Sequence, residues 1–204
     1  QATLEAEDIV DFNGRPAYHI VSRANSNGFC DTFYKVRDIN ESWIDAKTLT
    51  SRGYFKQLRE GHFFRDEWIL NSGEGTWIGK RAGRDGNFNV AVGTSPVGVQ
   101  DVLSSMYYLR GQTLTPGTEI TLDVNTRQNW PLVVRVIKKE RVKTAAGRFD
   151  AFLLEPALRQ EGLFIQKGNR LQVWFSDDPK RVPVLMKVDV FFGSITARLA
   201  KMVY

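Results

Sequence analysis

The sequence predicts a mainly β protein, built on a single strongly curved antiparallel sheet of about ten or eleven strands with one helix packed on its concave side. Segments that alternate apolar and polar residues run through most of the 204-residue chain. The connections between them are short and rich in Gly, Asn, Asp and Pro, which makes neighbouring strands antiparallel. A sheet this wide is expected to curl into an unclosed half-barrel, because strand twist accumulates.

The N-terminal half begins with a predicted hairpin. Asn13 and Gly14 separate two alternating segments, and this dipeptide supplies the positive φ angles of a type I′ turn. Because Phe64 and Trp68 share one face of HFFRDEWIL while Phe63 lies on the other, we expect this strand to be covered on both sides. The other strands predicted here are FCDTFYKVRDI, ESWIDAKTL, TWIGK and FNVAVG.

The segment VQDVLSSMYYLRG is the one predicted helix, because its apolar residues recur at helical spacing. Asp101 is the expected N-cap, and Gly111 is the expected stop. One apolar face is expected to pack on a sheet. That face comprises Val99, Val102, Leu103, Met106 and Leu109.

From residue 118 the alternating pattern resumes. In the basic run that follows, Val134, Val136 and Val142 are expected to share a buried face, while the charged side chains share a solvated one. The predicted strands are TEITLDV, PLVVRVIKKERV, RFDAFLLEP, LFIQK, RLQVWFS, RVPVLMKVDVFF and SITARLAKMVY.

A pair of carboxylates, Asp177 and Asp178, lies between two of these strands in the segment SDDPK. Paired acids catalyse glycoside hydrolysis when they face each other across a cleft. Neighbours on a strand point to opposite faces, however, and Pro179 favours a turn. We therefore interpret the pair as turn residues, and we expect one of the two side chains to accept hydrogen bonds from turn amides.

Composition limits the function classes. The formal charge of +5, from 28 basic and 23 acidic residues, is mild and lacks the concentrated basic stripe of nucleic-acid-binding proteins. No apolar run approaches the roughly 18 residues of a transmembrane helix. The single cysteine, Cys30, excludes an internal disulfide. No linker divides residues 1–204, so we predict one domain, and since the chain opens without Met we expect a signal peptide to have been removed.

Residue types needed for common catalytic sites are sparse. The two histidines, His19 and His62, lie far apart without partners at ligand spacing, so neither a zinc site nor a Ser-His-Asp triad is predicted. The glycines of NSGEGTWIGKRAG lack the spacing of a phosphate-binding loop. We therefore predict no metal and no cofactor.

Aromatic residues, at 12% of the chain, indicate the candidate site. A curled sheet that does not close leaves a groove, and aromatic side chains suit an apolar ligand there. The same side chains could instead fill a core. The predicted groove residues are Phe64, Trp68, Trp77, Phe88, Met106, Trp130, Phe164 and Trp174.

Four groups of residues carry a family resemblance. They are Asp101, Leu103, Ser104, Tyr107 and Arg110 in the helix; Glu140, Val142, Thr144, Gly147 and Phe149; Val173, Trp174, Ser176, Asp177, Asp178, Arg181, Pro183 and Val184 around the SDDPK corner; and GSITARL at 193–199. Together they resemble a bacterial envelope family catalogued as domain of unknown function 3108. Members of that family usually begin with a further strand, so we expect this chain to begin inside the first hairpin.

The resemblance implies export to the periplasm or another part of the envelope. It also implies a fold similar to the lipoprotein-localisation carriers, an antiparallel half-barrel with a helical lid over an apolar concavity. It supplies no catalytic residues.

Three functions remain open at this stage. The first is a non-enzymatic envelope protein that binds an apolar or lipid-like ligand, or a lipidated partner, in the half-barrel groove. The second is a structural or interaction module with a filled core that binds glycan or protein. The third is a cofactor-free enzyme that uses Tyr107, Tyr108 and Arg110. In the first case, anionic headgroups would meet Lys80, Arg81 and Arg84.

Overall fold

The structure, a computed structural model, describes residues 1–32, 34–157, 170–190 and 193–203. The protein is mainly β, as predicted. It divides into two compact units. The first comprises residues 1–107 and 123–130, and the second comprises residues 108–122 and 131–204.

The first sheet has seven antiparallel strands that lie in sequence order. They are β1 (Ala2–Asp11), β2 (Pro16–Asn25), β3 (Arg37–Asp45), β4 (Ser51–Glu60), β5 (Phe63–Asn71), β6 (Thr76–Ala82) and β7 (Phe88–Thr94). A short helical turn, α1 (Gly28–Asp31), follows β2. At the first hairpin, Asn13 and Gly14 have φ angles of 53° and 76°, which confirms the predicted turn.

The second sheet has six strands in the order β13-β12-β11-β10-β9-β8. They are β8 (Glu119–Asn125), β9 (Asn129–Thr144), β10 (Gly147–Pro156), β11 (Leu171–Ser176), β12 (Pro183–Val190) and β13 (Gly193–Arg198). The helix α2 (Val102–Arg110) lies between β7 and β8 in the chain. Neither helix of the described part of the chain is long and apolar enough to cross a membrane.

The prediction of a single curled sheet is wrong, because the described strands form two sheets and neither closes or curls into a barrel. The first sheet ends at β7, and the chain leaves it through Pro96 and through Gly98, whose φ is 87°. The connection from β7 to β8 contains α2, so these two strands are not joined by a short hairpin as their neighbours are.

The strand count was also too low, since thirteen strands are present in the described residues. The strand β4 was not predicted, and the segment expected as FCDTFYKVRDI contains α1 before β3 begins. The predicted strand LFIQK lies outside the described residues.

The helix α2 confirms the predicted bounds and packs on the first sheet. Its Leu103 joins a buried cluster with Ile20, Ile44, Tyr54 and Ile69 from four of the strands. Val102 was expected on the same face, but it begins the helix and is 48% exposed.

Asp101 caps α2, as the sequence predicted. Its Oδ1 accepts hydrogen bonds from the backbone amides of Leu103 and Ser104, at 2.8 and 2.9 Å. The Ser104 hydroxyl in turn accepts the amide of Asp101 at 2.7 Å. These bonds satisfy amides that have no partner within the helix.

In the second unit Val134, Val136 and Val142 of β9 are buried, while Arg135 and Arg141 are exposed. The three valines do not share one face as expected, because the register with β10 shifts between Val136 and Lys138 and the alternation changes face there. A buried cluster joins β9 to the strands beside it and comprises Val142, Ala151, Leu153, Trp174 and Val184.

Candidate functional site: an exposed apolar face on strands β5 to β7

The candidate site lies on one face of the last three strands of the first sheet, called here the apolar face. Trp68 on β5 pairs with Lys80 on β6, which pairs with Val90 on β7. Residues two positions apart on a strand point to the same face, so the residues two positions further along these strands form a second row beside this one. Phe64 on this face is half-buried. The exposed large apolar side chains of the face are Trp68, Leu70, Ile78, Phe88, Val90 and Val92.

This exposure corrects the expectation that β5 is covered on both sides. Trp68 is 39% exposed, Phe88 63% and Val92 73%, whereas Ile69 on the opposite face is 1% exposed. Single exposed apolar side chains are normal, but neighbours in register on three adjacent strands make a continuous patch.

A shallow groove of about 610 Å³ lies at one end of the apolar face. Leu70, Ile78 and Val92 form its apolar floor, and Trp77 and Arg52 also line it. The indole Nε1 of Trp77 donates to the carbonyl of Thr94 at 3.2 Å, so this ring is fixed by the edge strand. The groove is open to solvent and presents mainly carbon atoms.

Three cations lie over aromatic rings on this face: Lys80, Arg84, and Arg59, whose guanidinium carbon lies 5.2 Å from the ring centroid of Phe64 and which also pairs with Asp66. The Nζ of Lys80 is 4.3 Å from the ring centroid of Phe88 and 5.9 Å from that of Trp68. The guanidinium carbon of Arg84 lies 5.0 Å from the ring centroid of Phe64. Within the described residues, neither Lys80 nor Arg84 forms an ion pair with a carboxylate. The apolar face is therefore bordered by positive charge that aromatic faces hold in place.

Three of the predicted groove residues, Phe64, Trp68 and Phe88, belong to this face. Trp77 borders the groove, as described above. Met106 and Trp130 are half-buried and do not line it. Phe164 lies outside the described residues.

Trp174 has a core environment in the second unit. It is 8% exposed and belongs to the buried cluster of that unit. Its indole Nε1 donates to Oε1 of Glu140 at 2.9 Å, and this bond lowers the pKa of that carboxyl. Contacts within the protein therefore involve both the ring of Trp174 and its indole N–H.

Sequence reasoning missed four apolar residues of the face: Leu70, Ile78, Val90 and Val92. The signal was present in FNVAVG, where large apolar side chains recur at every second residue. A buried strand shows the same alternation, so the pattern does not predict whether these apolar side chains are exposed.

Two of the three side chains expected to serve an enzyme make structural contacts within their own units. Tyr107 packs against the buried cluster beneath α2 in the first unit. Arg110 donates from Nε and Nη2 to the carbonyl of Lys180, at 3.1 and 2.7 Å, in the second unit. No three His, Cys, Asp or Glu side chains of the described chain lie together as a metal site requires.

The family model for the Protein of unknown function DUF3108 matches residues 1–200. The chain belongs to the DUF3108 family. No curated protein and no solved structure matches it significantly. The resemblance to lipoprotein-localisation carriers is not confirmed.

The paired acids of this DUF3108 protein form a turn, as the sequence indicated. Oδ1 of Asp178 accepts the amides of Lys180 and Arg181, at 2.8 and 3.2 Å. Asp177 pairs instead with Arg181, at 3.1 Å, and with Lys139. Partial burial acts to raise the pKa of Asp178, but the bonds from Ser176 and the two amides outweigh it and lower that pKa.

Asp178→Asn is expected to lower the free energy of unfolding by less than about 1 kcal/mol, because asparagine keeps the Oδ1 acceptor and the site is exposed. The lowered pKa means that the carboxylate stabilises the fold above its unfolded pKa, and this contribution is lost as the pH falls through the folded value. Urea titrations at neutral and acid pH should show the difference between the two proteins shrinking under acid conditions. A loss of ligand binding in the folded variant would contradict the turn assignment.

A second pair of acids, Asp38 and Glu60, lies at the far end of β3 and β4. Asp38 is buried, and its Oδ1 accepts the amide of Arg59 at 2.8 Å. Burial first, and then the charge of Asp38 and a hydrogen bond to it, raise the pKa of Glu60 to about 7. Neither acid lines the groove, so the pair does not support a catalytic site there.

The DUF3108 protein is expected to lose stability as the pH rises from the usual Glu60 pKa of 4.5 to about 7, because the folded state holds a proton that the unfolded chain releases. Glu60→Gln mimics the protonated acid. It should raise the free energy of unfolding by about 1 kcal/mol at pH 8, after allowance for solvent screening, and change it little at pH 5. Urea titrations at both values test this, with the exposed Glu119→Gln as control. If Glu60→Gln changed the free energy of unfolding equally at pH 5 and pH 8, Glu60 would not hold an additional proton in the folded state.

Proposed function

We propose that this DUF3108 protein is a non-enzymatic protein of the bacterial envelope that binds an anionic amphiphile, an acyl chain with a negatively charged head, on the apolar face of β5 to β7. The observation that carries the proposal is the continuous patch of exposed apolar side chains around Lys80, which includes Trp68, Phe88 and Val92. The envelope location rests on the family resemblance.

The apolar face offers the ligand two kinds of interaction. Covering its exposed carbon surface removes apolar area from water, at about 25 cal/mol per Å². Lys80 and Arg84, which stand over aromatic rings without a carboxylate partner in the described chain, favour a negatively charged head. The groove formed by Leu70, Ile78 and Val92 would hold the distal part of the acyl chain. A half-barrel is not required for this mode of binding.

Titration with lysophosphatidylglycerol below its micelle concentration should shift the tryptophan emission to shorter wavelength, because Trp68 is exposed in the free protein. Val92→Asp places a charge on the face and should weaken binding by about tenfold or more. Lys80→Gln should weaken binding of this lipid but not of zwitterionic lysophosphatidylcholine.

Ile195→Asp is the matched control, since Ile195 is also an exposed apolar residue of a strand, in the second unit. It should bind as the unmodified protein does. Equal affinity in the Val92→Asp and Ile195→Asp proteins would overturn the proposal. Sedimentation without lipid tests another occupant, a second copy paired along the edge strand β7. If a dimer forms and Val92→Asp dissociates it, the occupant of the apolar face is a second copy and not a lipid.

A further inference from the structure

The face of β4 to β7 opposite the apolar face carries a row of polar side chains, three of which are charged. Lys56, Glu67, Arg81 and Asn89 are successive partners across the four strands. Glu67 is fully buried, and its Oε2 accepts a hydrogen bond from Nε of Arg81 at 2.6 Å. Nζ of Lys56 lies 3.9 Å from its other oxygen. The side chain of Arg81 therefore lies on this side of the sheet, whereas the side chain of Lys80 lies on the apolar face.

A strained turn adds another cation to this row. Arg127, between β8 and β9 in the part of the chain that belongs to the first unit, has a φ of 68°. Oδ1 of Asn125 accepts its amide at 2.9 Å, and its Nη2 donates to Asn89. A residue with a side chain adopts this backbone region at a cost, which the surrounding contacts must offset.

The sheet also leaves room for this arginine. A Cβ placed at Gly79 on β6 would lie 3.1 Å from Cγ of Arg127, and 3.2 Å from the carbonyl oxygen of Trp68. A larger residue at position 79 would therefore push the Arg127 side chain off the sheet. Two independent features, a left-handed turn residue and a strand glycine, thus place the guanidinium beside Arg81.

The positive charge of this cluster exceeds its negative charge. Lys56 and Arg81 pair with the buried carboxylate of Glu67, and Arg65 and Arg127 lie within electrostatic range of the same cluster. A second carboxylate, Glu60 on β4, interacts with Lys56 and Arg65. Burial first, and then the positive charges of Arg81 and Arg65, lower the pKa of Arg127, and Glu67 opposes this only in part. Nε of Arg127 is buried and has no hydrogen-bond partner among the described residues. Four cations of this cluster thus face two carboxylates, Glu67 and Glu60.

We propose that this cluster, Arg65, Arg81 and Arg127, is a binding site for a phosphate group. A guanidinium presents paired N–H donors that match two phosphate oxygens, and several arginines can share one group. A phosphate dianion carries two negative charges and can balance two cations, whereas a carboxylate carries one. The site lies on the side of the sheet opposite the proposed lipid face and goes beyond that function.

The test compares the melting temperature of the protein in inorganic phosphate with that in chloride at equal ionic strength. Phosphate should raise the melting temperature, because it binds the folded state. The variant for this test is Arg127→Gly, because glycine adopts the φ of 68° without strain and keeps the turn. It should fold as well as the unmodified protein and lose the phosphate-dependent rise, with an apparent dissociation constant raised about tenfold or more.

Arg141→Gln serves as the control, since Arg141 is an exposed arginine paired with Asp150 in the second unit, and it should keep the full phosphate response.

A second arm measures binding to phosphatidylcholine vesicles with and without phosphatidic acid. If Arg127→Gly weakens only vesicle binding, the phosphate is that of a lipid head; if it weakens only the inorganic response, the phosphate is a free one. The Val92→Asp protein should keep the inorganic response, which separates this site from the apolar face. No response in either arm, or equal responses in the Arg127→Gly protein, would overturn the site.

Discussion

Asp101→Ala is expected to lower the free energy of unfolding by about 3 kcal/mol. Asp101 is fully buried and accepts hydrogen bonds from the amides of Leu103 and Ser104 and from the hydroxyl of Ser42 at 2.6 Å. Alanine removes all three acceptor contacts at once. The donors remain buried without partners, and an unsatisfied buried donor costs more than the bond it replaces contributes.

The loss should also reach the packing of the first sheet. The bond from Ser42 on β3 links the start of α2 to the strands, and Leu103 of the same turn contacts the buried cluster. Urea denaturation followed by far-ultraviolet circular dichroism measures the effect. Asp101→Asn keeps one acceptor oxygen for the helix amides and should lose less than Asp101→Ala. Asp123→Ala, at an exposed acid of β8, is the control, and equal losses at positions 101 and 123 would show that the cap is not structural.

Trp174→Ala is expected to lower the free energy of unfolding by about 3 to 5 kcal/mol, the range for a large buried aromatic residue. The ring packs against Val142, Leu153 and Val184, and its indole bond to Glu140 is lost as well. The substitution leaves a cavity that the neighbouring strands cannot fill without moving. If the alanine protein does not fold, Trp174→Phe retains the ring and isolates the hydrogen bond to Glu140, with an expected loss of about 1 to 2 kcal/mol.

Trp68→Ala is the matched comparison, because the two tryptophans differ in exposure, 39% against 8%. We expect Trp68→Ala to change the free energy of unfolding by less than about 1 kcal/mol and to weaken lysophosphatidylglycerol binding. We expect the folded Trp174→Phe protein to bind the lipid unchanged. Lipid binding that depends on Trp174 and not on Trp68 would move the ligand site away from the apolar face.

Several local features of this DUF3108 protein were predictable because a few adjacent residues determine them. Asn13-Gly14 makes a tight turn since both residues tolerate positive φ, and Asp101 caps α2 since its side chain reaches the free amides that follow. Asp178 orders its corner in the same way. In each case the interacting groups lie within four residues of each other.

The number of sheets was not predictable from the same patterns. An alternating strand shows which residues share a face, but it does not show which strand lies beside it. The end of β7 at Thr94 and the start of β8 at Glu119 were close to the expected positions, yet the two strands belong to different sheets. Strand pairing depends on hydrogen bonds between distant segments, so only the tertiary structure decided it.

The sequence by itself determined the mainly β class, the capped helix, the turns and the family to which the chain belongs. The tertiary structure decided which aromatic residues are available to a ligand. Trp68 and Trp174 both stand in strands, but β10 and β12 bring apolar side chains over Trp174, and no described residue covers Trp68 to the same extent. It also brought Arg127 beside Arg81, which lies 46 positions earlier in the chain. Exposure and charge clustering depend on contacts between segments far apart in the chain, which a residue pattern along one strand does not contain.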